Sequence, residues 1–311
     1  MEESDWLTGR FEQHRSRLRG VAYRMLGSVS EAEDAMQEAW LRIRGQDPGS
    51  VENIQAWLTT VVGRVCLNML RARRARPEEL SDFSVPDPIV SLEAGADPEQ
   101  EALVADSVGL ALLVVLDALS PAERVSFVLH DVFGVPFAEI AVALDRSEAA
   151  AQQLASRARR RVHGSPTPDP DLARQQEVVG AFFAASRDGD FDALVAVLDP
   201  GVELRIDGGV LRQEASLILR GEQAVAAYSG TYSRLYPFVR PALVNGAAGA
   251  VVAPAGRVFA VMAFTVTKGK IRQIDALVDP ERLRRLNLAI PLSGEQPRWI
   301  PPGRGTRESG V

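Results

Sequence analysis

Two proline-bearing breaks constrain this chain more than any other feature. Residues 77–106 hold nine Asp and Glu, no Lys or Arg, and Pro77, Pro86, Pro88 and Pro98. A run of like charge with that many prolines resists helix and reads as an extended connection. Gly164-Ser165-Pro166-Thr167-Pro168-Asp169-Pro170 forms a second hinge. Gly and Pro punctuate a chain in this way because one frees φ and the other fixes it. The 311 residues are thereby divided into pieces at 5–76, 107–163 and 171–290. The stretch 77–106 is the acidic linker between the first two pieces, and 291–311 reads as a flexible tail rich in Pro, Gly and Arg.

The first piece is all helical. Ser30-Glu31-Ala32-Glu33 reads as a capping box. After it Ala32, Met36, Ala39, Trp40 and Ile43 recur at the helical period, and the opposite face carries Asp34, Gln37, Glu38, Leu41 and Arg42. A purely solvated face has no need of Leu41, so this one suits a partner helix with basic residues. Residues 47–53, with Pro48 and Gly49, read as a loop. A long helix follows, with Ile54, Trp57, Leu58, Val61, Val62, Val65, Met69 and Leu70 on its core face. The other face shows Thr60, Arg64, Asn68 and Arg71, and the run 64–76 holds five arginines and no acid. Arg holds phosphates, and Asn and Thr can reach exposed base edges.

The second piece has the layout of a helix-turn-helix. Ser120-Pro121-Ala122-Glu123 is a capping box with Pro at the first helical position. Pro136 opens the next helix, with Phe137, Ile140, Ala141 and Leu144 at core spacing. Asp145-Arg146-Ser147 is a short turn, and Ser147 can cap the third helix. In SEAAAQQLASRARRRV that helix turns Glu148, Ala149, Gln152, Gln153, Ser156 and Arg157 outward, with Arg160 beyond them. Gln can pair with adenine, Glu accept from cytosine, and Arg read guanine or hold phosphate, so a major-groove reader is expected.

The third piece changes character. Helices at 172–186 and 192–198 precede strands at 202–206, 241–245, 250–253, 257–267 and 270–278, with a helix at 221–235 between them. Lys268-Gly269-Lys270 makes a hairpin turn. The expectation is an α+β domain on an antiparallel sheet.

The net charge of −6 does not speak for nucleic acid, but local basic patches supply phosphate binding, and both patches end helices. The single Cys66 excludes an internal disulfide and reads as a buried thiol. No apolar run is long enough to span a membrane or to form a signal-peptide core. A cytoplasmic protein without membrane attachment is expected. No metal-ligand cluster, phosphate loop or nucleophile motif stands out, so no cofactor and no metal site are expected.

The two helical modules, in this order and joined by a linker, resemble a bacterial sigma factor of the extracytoplasmic-function type. DAMQEAWLRI is similar to the part of sigma region 2 that docks on polymerase. AWLTTVVGRVCLNMLRARRAR resembles the part that melts and reads the −10 element. LSPAERVSFVLHDVFGVPFAEIAVALDRSEAAAQQLASRARRRV resembles region 4, which reads the −35 element. The third piece looks like a SnoaL-like domain, a cone-shaped α+β fold related to ketosteroid isomerase. Sigma factors with this extension form a subgroup in which the extension regulates and a separate anti-sigma protein is usually absent. Of its motifs, DGGG(K/R) is partly matched by Asp207-Gly208-Gly209-Val210. Val278-Asp279-Pro280-Glu281-Arg282-Leu283 is similar to a motif like NPDKL. A linker motif of the form WLPEP is not intact in ELSDFSVPDPIV.

The resemblance implies a multidomain chain: two all-α sigma modules, then the cone-shaped domain. Its partners would be RNA polymerase core, through the clamp helices of the largest subunit and the flap of the second, and promoter DNA. Polymerase contact falls to Asp34, Gln37, Glu38, Leu41 and Arg42. The −10 contacts fall to Asn53, Thr60, Arg64, Asn68, Arg71, Arg73 and Arg74, and the −35 contacts to Ser147, Glu148, Ala149, Gln152, Gln153, Ser156, Arg157 and Arg160. Regulatory contact falls to Asp207, Gly208, Gly209, Asp279, Pro280 and Leu283, with a small apolar ligand in the cavity as a further expectation. The acidic linker is either a solvated tether or an acidic strand that threads the RNA-exit path of polymerase. Two other readings stand beside this one. The first is a dimeric helix-turn-helix regulator with a ligand-sensing domain, which leaves 32–76 unexplained. The second is a cyclase-like or isomerase-like enzyme fused to a DNA-binding unit, using Asp199, Glu203, Asp207 or Asp275. No catalytic residue is assigned.

Overall fold

The computed structural model describes residues 2–44, 53–75, 84–92, 110–163, 168–210, 212–286 and 288. The loop at 47–52, most of the acidic linker and the tail at 291–311 lie outside the described residues. The first module packs α1 (Glu2–Leu26), α2 (Val29–Ile43) and α3 (Ile54–Arg74). α2 starts two residues earlier than the capping box suggests, because the Ser28 hydroxyl accepts from the Glu31 amide at 3.4 Å. Asn53 caps α3 by accepting from the Ala56 amide at 3.1 Å. A cap of this kind satisfies one of the first-turn donors that a helix leaves open.

The second module contains α4 (Leu110–Asp117), α5 (Pro121–Phe127), α6 (Phe137–Leu144) and α7 (Glu148–Val162). The capping box of α5 is complete: Ser120 accepts from the Glu123 amide, and Glu123 accepts from the Ser120 amide. A π-helical turn at Val128–Val132 continues α5. Asp145 closes α6 in the left-handed region, with φ 56°, a conformation Asp tolerates better than most residues. Ser147 then caps α7, so α6, the turn and α7 form the expected helix-turn-helix.

The third domain is α+β, as expected, but its sheet is mixed rather than antiparallel. Its strands are β2 (Leu198–Asp207), β3 (Leu217–Arg220), β4 (Val239–Val244), β5 (Ala247–Val252), β6 (Ala260–Thr267) and β7 (Lys270–Leu277). A short strand from the linker, β1 (Val90–Ser91), joins them, and the order is β1-β4-β5-β6-β7-β2-β3. The β2–β7 pair is parallel. Helices α8 (Leu172–Asp188), α9 (Phe191–Val197) and α10 (Glu222–Gly230) cover one face of the sheet. The short helix α11 (Pro280–Arg285) follows β7.

The sheet is covered on both faces. Val179, Phe182, Leu194, Phe264 and Ile274 form one core under the helices. Val244, Val251, Val261 and Leu277 face the other way and share a core with Tyr23, Leu26, Val85, Leu110 and Leu113. The three domains are therefore packed together rather than strung out. β5 and β7 are buried almost throughout. Burial on both sides makes β5 a continuous apolar run, whereas β7 carries Arg272, Gln273 and Asp275 among its apolar residues.

Candidate nucleic-acid interface and linker clamp

The polymerase-docking residues expected from sequence all lie on the open face of α2. Asp34, Gln37, Glu38, Leu41 and Arg42 are exposed, while Ala35, Met36, Ala39 and Ile43 are buried beneath them. Leu41 is 64% exposed, which a helix packed only on its own module does not require. Arg42 pairs with Glu38 one turn back at 2.5 Å, a contact that solvent makes weak.

The residues expected at the −10 element fall into two groups. Arg64, Asn68 and Arg71 are exposed along one face of α3, and Asn53 is exposed at its cap. The others face the second module. Thr60 lies 3.4 Å from the Glu139 carboxylate on α6. Arg73 reaches Glu31 at 3.4 Å and Asp117 at 3.7 Å. Arg74 donates to the Leu119 carbonyl at 2.8 Å. Arg124, only 2% exposed, ties the same boundary by donating to the Met25 carbonyl at 2.6 Å and to Asp117 at 2.7 Å. The two sigma-like modules are closed on each other, with part of the α3 face against α6.

The α7 face is open. Ser147, Glu148, Ala149, Gln152, Gln153, Ser156, Arg157 and Arg160 are all exposed, and Ala151, Ala155 and Ala158 are buried. Glu123 draws part of its basic charge inward: Arg157 lies 3.4 Å and Arg161 2.9 Å from its carboxylate. Burial works to raise the Glu123 carboxyl, but hydrogen bonds from Ser120 and these two guanidiniums outweigh it and hold the group below the usual range.

The linker is not free where it is described. Residues 84–92 run between the first module and the sheet, and their main chain is held at 85, 87 and 89. The Val85 amide donates to Asp207 Oδ2 at 2.8 Å, the Asp87 amide to the Gly27 carbonyl at 2.7 Å, and the Ile89 amide to Asn245 Oδ1 at 3.0 Å. The Asp87 carbonyl accepts from the Tyr23 hydroxyl at 2.7 Å, and the Ile89 carbonyl from the Asn245 amide at 2.8 Å. The Val85 carbonyl accepts from Arg282. Pro86 and Pro88 fall between these residues and have no amide to satisfy. Val90 and Ser91 then pair with Val244 and Leu243 as the edge strand.

Arg282 is the centre of this clamp. Besides the Val85 carbonyl, it contacts Asp87 at 2.6 Å and Asp207 at 2.8 Å. Burial disfavours its charge, but the Asp87 and Asp207 carboxylates more than compensate and raise its pKa. Asn245 adds a second junction by donating to the Tyr23 hydroxyl at 2.9 Å, so three parts of the chain meet at one buried phenol. Burial raises the Tyr23 pKa, so the hydroxyl stays protonated as a donor.

The regulatory residues expected from sequence serve this clamp. Asp207 grips the linker. Asp279 caps α11 by accepting from the Glu281 amide at 2.8 Å, Pro280 opens the helix, and Leu283 is buried in the shared core. A Cβ at Gly208 would overlap the Arg212 carbonyl, and one at Gly209 would overlap the Asp279 carboxylate. Sequence reasoning did not single out Arg282, Asp87, Asn245 or Tyr23. Arg282 was visible as the basic position of the motif Asp279–Leu283, but its partners are 75 and 195 residues away in sequence.

The acids considered for catalysis do not line the cavity of the third domain. Asp275 lies on the opposite face of β7 from Ile274 and Ala276. It is 2% exposed, and Gln273 donates to one of its oxygens at 2.7 Å. Burial, only partly offset by Arg205 and Gln273, pushes its carboxyl up to about 6. Cys66 is buried and its thiol is pushed up by burial. No described helix is long and apolar enough to cross a membrane.

Residues 10–76 match the family model for Sigma-70 region 2, and residues 109–162 the model for Sigma-70 region 4. The chain is 39% identical over 310 residues to the ECF RNA polymerase sigma factor SigJ of Mycobacterium tuberculosis, covering 95% of this chain and 97% of that protein. It is 35% identical over 300 residues to the probable ECF RNA polymerase sigma factor SigI of the same species, covering 93% and 99%. The crystal structure of M. tuberculosis SigJ superposes with a TM-score of 0.71 at 36% identity, covering 89% of this chain and 98% of that one.

The Asp275 environment predicts a pH dependence of stability. A carboxyl whose pKa is raised on folding holds its proton longer in the folded state, so its penalty grows as pH rises from about 4 to about 6. Asp275→Asn is expected to be more stable than the parent at pH 7, with the difference vanishing below about pH 4. Urea unfolding of both proteins across that range checks it, and a pH-independent difference would contradict it.

Proposed function

The chain belongs to the extracytoplasmic-function RNA polymerase sigma factors, and from that premise we propose that its third domain holds it in a closed, inactive form through the linker. A sigma factor is not an enzyme; it brings RNA polymerase core to promoter DNA. In our reading Asp34, Gln37, Glu38, Leu41 and Arg42 dock on core. Arg64, Asn68 and Arg71, with Asn53 at the cap, meet the −10 region; Thr60 joins them once α6 has moved away, and Arg73 and Arg74 once the end of α4 has. Ser147, Glu148, Ala149, Gln152, Gln153, Ser156, Arg157 and Arg160 meet the −35 element in the major groove.

Promoter geometry makes the closed arrangement informative. Elements about 25 base pairs apart are separated by about 85 Å along the duplex. In the free chain α3 packs directly on α6 of the second module. The modules therefore have to separate before both elements can be read. The observation that carries the proposal is the grip of Arg282 on Asp87, Asp207 and the Val85 carbonyl. It pins the linker to the third domain while Tyr23 and Gly27 pin it to the first module. This lock is part of the chain, so regulation needs no separate anti-sigma protein. Once released, the acidic linker is free to follow the basic RNA-exit path of polymerase.

Removing the whole third domain would bare the apolar sheet-facing surface of the modules, so a point change is the cleaner test. Arg282→Gln is expected to raise run-off transcription by core polymerase several-fold at limiting sigma concentration; unchanged or lower output from a folded variant would overturn the inhibitory clamp. For the DNA face, Gln153→Ala is expected to relax preference at one −35 position, a difference of about 1–3 kcal/mol. Arg64→Ala is expected instead to weaken all promoters alike and lower the salt slope by about one. Promoter-library transcription at two salt concentrations separates these patterns.

A further inference from the structure

The cone of the third domain encloses a cavity of about 370 Å³, room for about a dozen waters. Its walls are apolar: Phe182, Tyr236, Phe259, Met262 and Ile274 line it between α8 and the sheet. The polar groups at its edge are mostly satisfied. Ser186 donates to the Ser229 carbonyl at 3.3 Å, and the Tyr228 and Tyr232 hydroxyls bond each other at 2.9 Å. Arg212 is the exception. Its guanidinium is half-buried at the rim, 5.6 Å over the Phe259 ring, with one long contact of 3.5 Å to the Val278 carbonyl. Among the described residues no carboxylate pairs with it. Glu214, the other charged residue at the rim, is exposed, so solvent screens it. A half-buried guanidinium without a carboxylate partner among the described residues, at the rim of an apolar chamber, fits a bidentate acid.

The same wall carries the linker clamp. Ile206 and Val278 line the cavity. The residue after Ile206 is Asp207, which grips Val85 and Arg282, and the residue after Val278 is Asp279, which caps the helix bearing Arg282. The turn between them closes on itself: the Arg212 amide donates to the Gly208 carbonyl at 3.2 Å, and the Gly208 amide to Ser216 Oγ at 3.0 Å. Whatever fixes Arg212 fixes the turn that aims Asp207.

We propose that this cavity binds an amphipathic monoanion, a carboxylate on an apolar ring or short acyl body, with Arg212 holding the head group, and that its binding tightens the clamp on the linker. The regulatory half rests on the inhibitory role given to the clamp above; the binding half does not. A ligand that prefers the assembled cavity stabilises the state in which the turn is ordered, and the coupling is reciprocal. The closed chain therefore binds the acid more tightly than a chain whose linker has left.

Decanoate and decanol, which differ in the head group, serve as probes on the full-length protein. Calorimetry is expected to show decanoate binding about tenfold or more tightly than decanol, the factor a charge-assisted hydrogen bond supplies. Arg212→Gln is expected to bring decanoate down to decanol while leaving decanol unchanged, and Arg212→Lys to fall between. In hydrogen exchange, saturating decanoate is expected to slow the peptide spanning 84–92 several-fold in the parent and not in Arg282→Gln. Equal affinity for the two probes, or no binding of either, would overturn the acid site. Binding without any change at 84–92 would overturn the coupling. Run-off transcription without probe is measured alongside, so specific initiation in the absence of decanoate binding sinks the ligand site and leaves the clamp standing.

Discussion

The arrangement of this molecule depends on one guanidinium. Arg282 sits where the end of β2, the start of α11 and the linker converge, and it is largely removed from water together with Asp207 and Asp87. A charge in that position has to be matched, and here two carboxylates and a carbonyl match it. Removing one member of such a buried set is costly, by about 3–5 kcal/mol for a fully buried pair, because it strands the others. The set is therefore a poor general stabiliser, in keeping with the latch role proposed for it.

Around the latch, the linker is recognised mainly through its main chain. Amides and carbonyls at 85, 87 and 89 are all used, and prolines occupy 86 and 88 where an amide would have had no partner. This explains why an altered linker motif still docks. The clamp reads the Val85 backbone and the carboxylate at 87, while the buried Val85 side chain asks only for an apolar group in the shared core. The contacts also run to both neighbours, Gly27 and Tyr23 on one side and Asn245, Asp207 and Arg282 on the other. In the proposed mechanism, releasing the linker loosens the third domain and the first module together.

Much of this was legible in the chain. The capping box at Ser120, the turn before Ser147 and the alanine-lined inner face of α7 are local signals, and each appears where the periodicity puts it. The exposed faces of α2 and α7 were equally readable, because helical spacing alone separates Leu41 from Met36 and Gln153 from Ala151. What escaped was non-local. The two-residue strand Val90–Ser91 is too short to carry a pattern. The parallel β2–β7 pair joins segments far apart in sequence. Thr60, Arg73 and Arg74 were assigned wholly to DNA because nothing local reveals that α6 and α4 lie against them.

The account stands or falls on the separation of the two sigma modules. Spin labels at Glu12→Cys and Ala138→Cys, both at exposed positions on different modules, report it directly, since the native Cys66 is buried. Pulsed electron resonance on the free chain is expected to give one short distance. Assembly with core polymerase and promoter DNA is expected to lengthen it by more than about 30 Å, in keeping with elements about 85 Å apart. A transcribing complex that keeps the short distance would contradict the account.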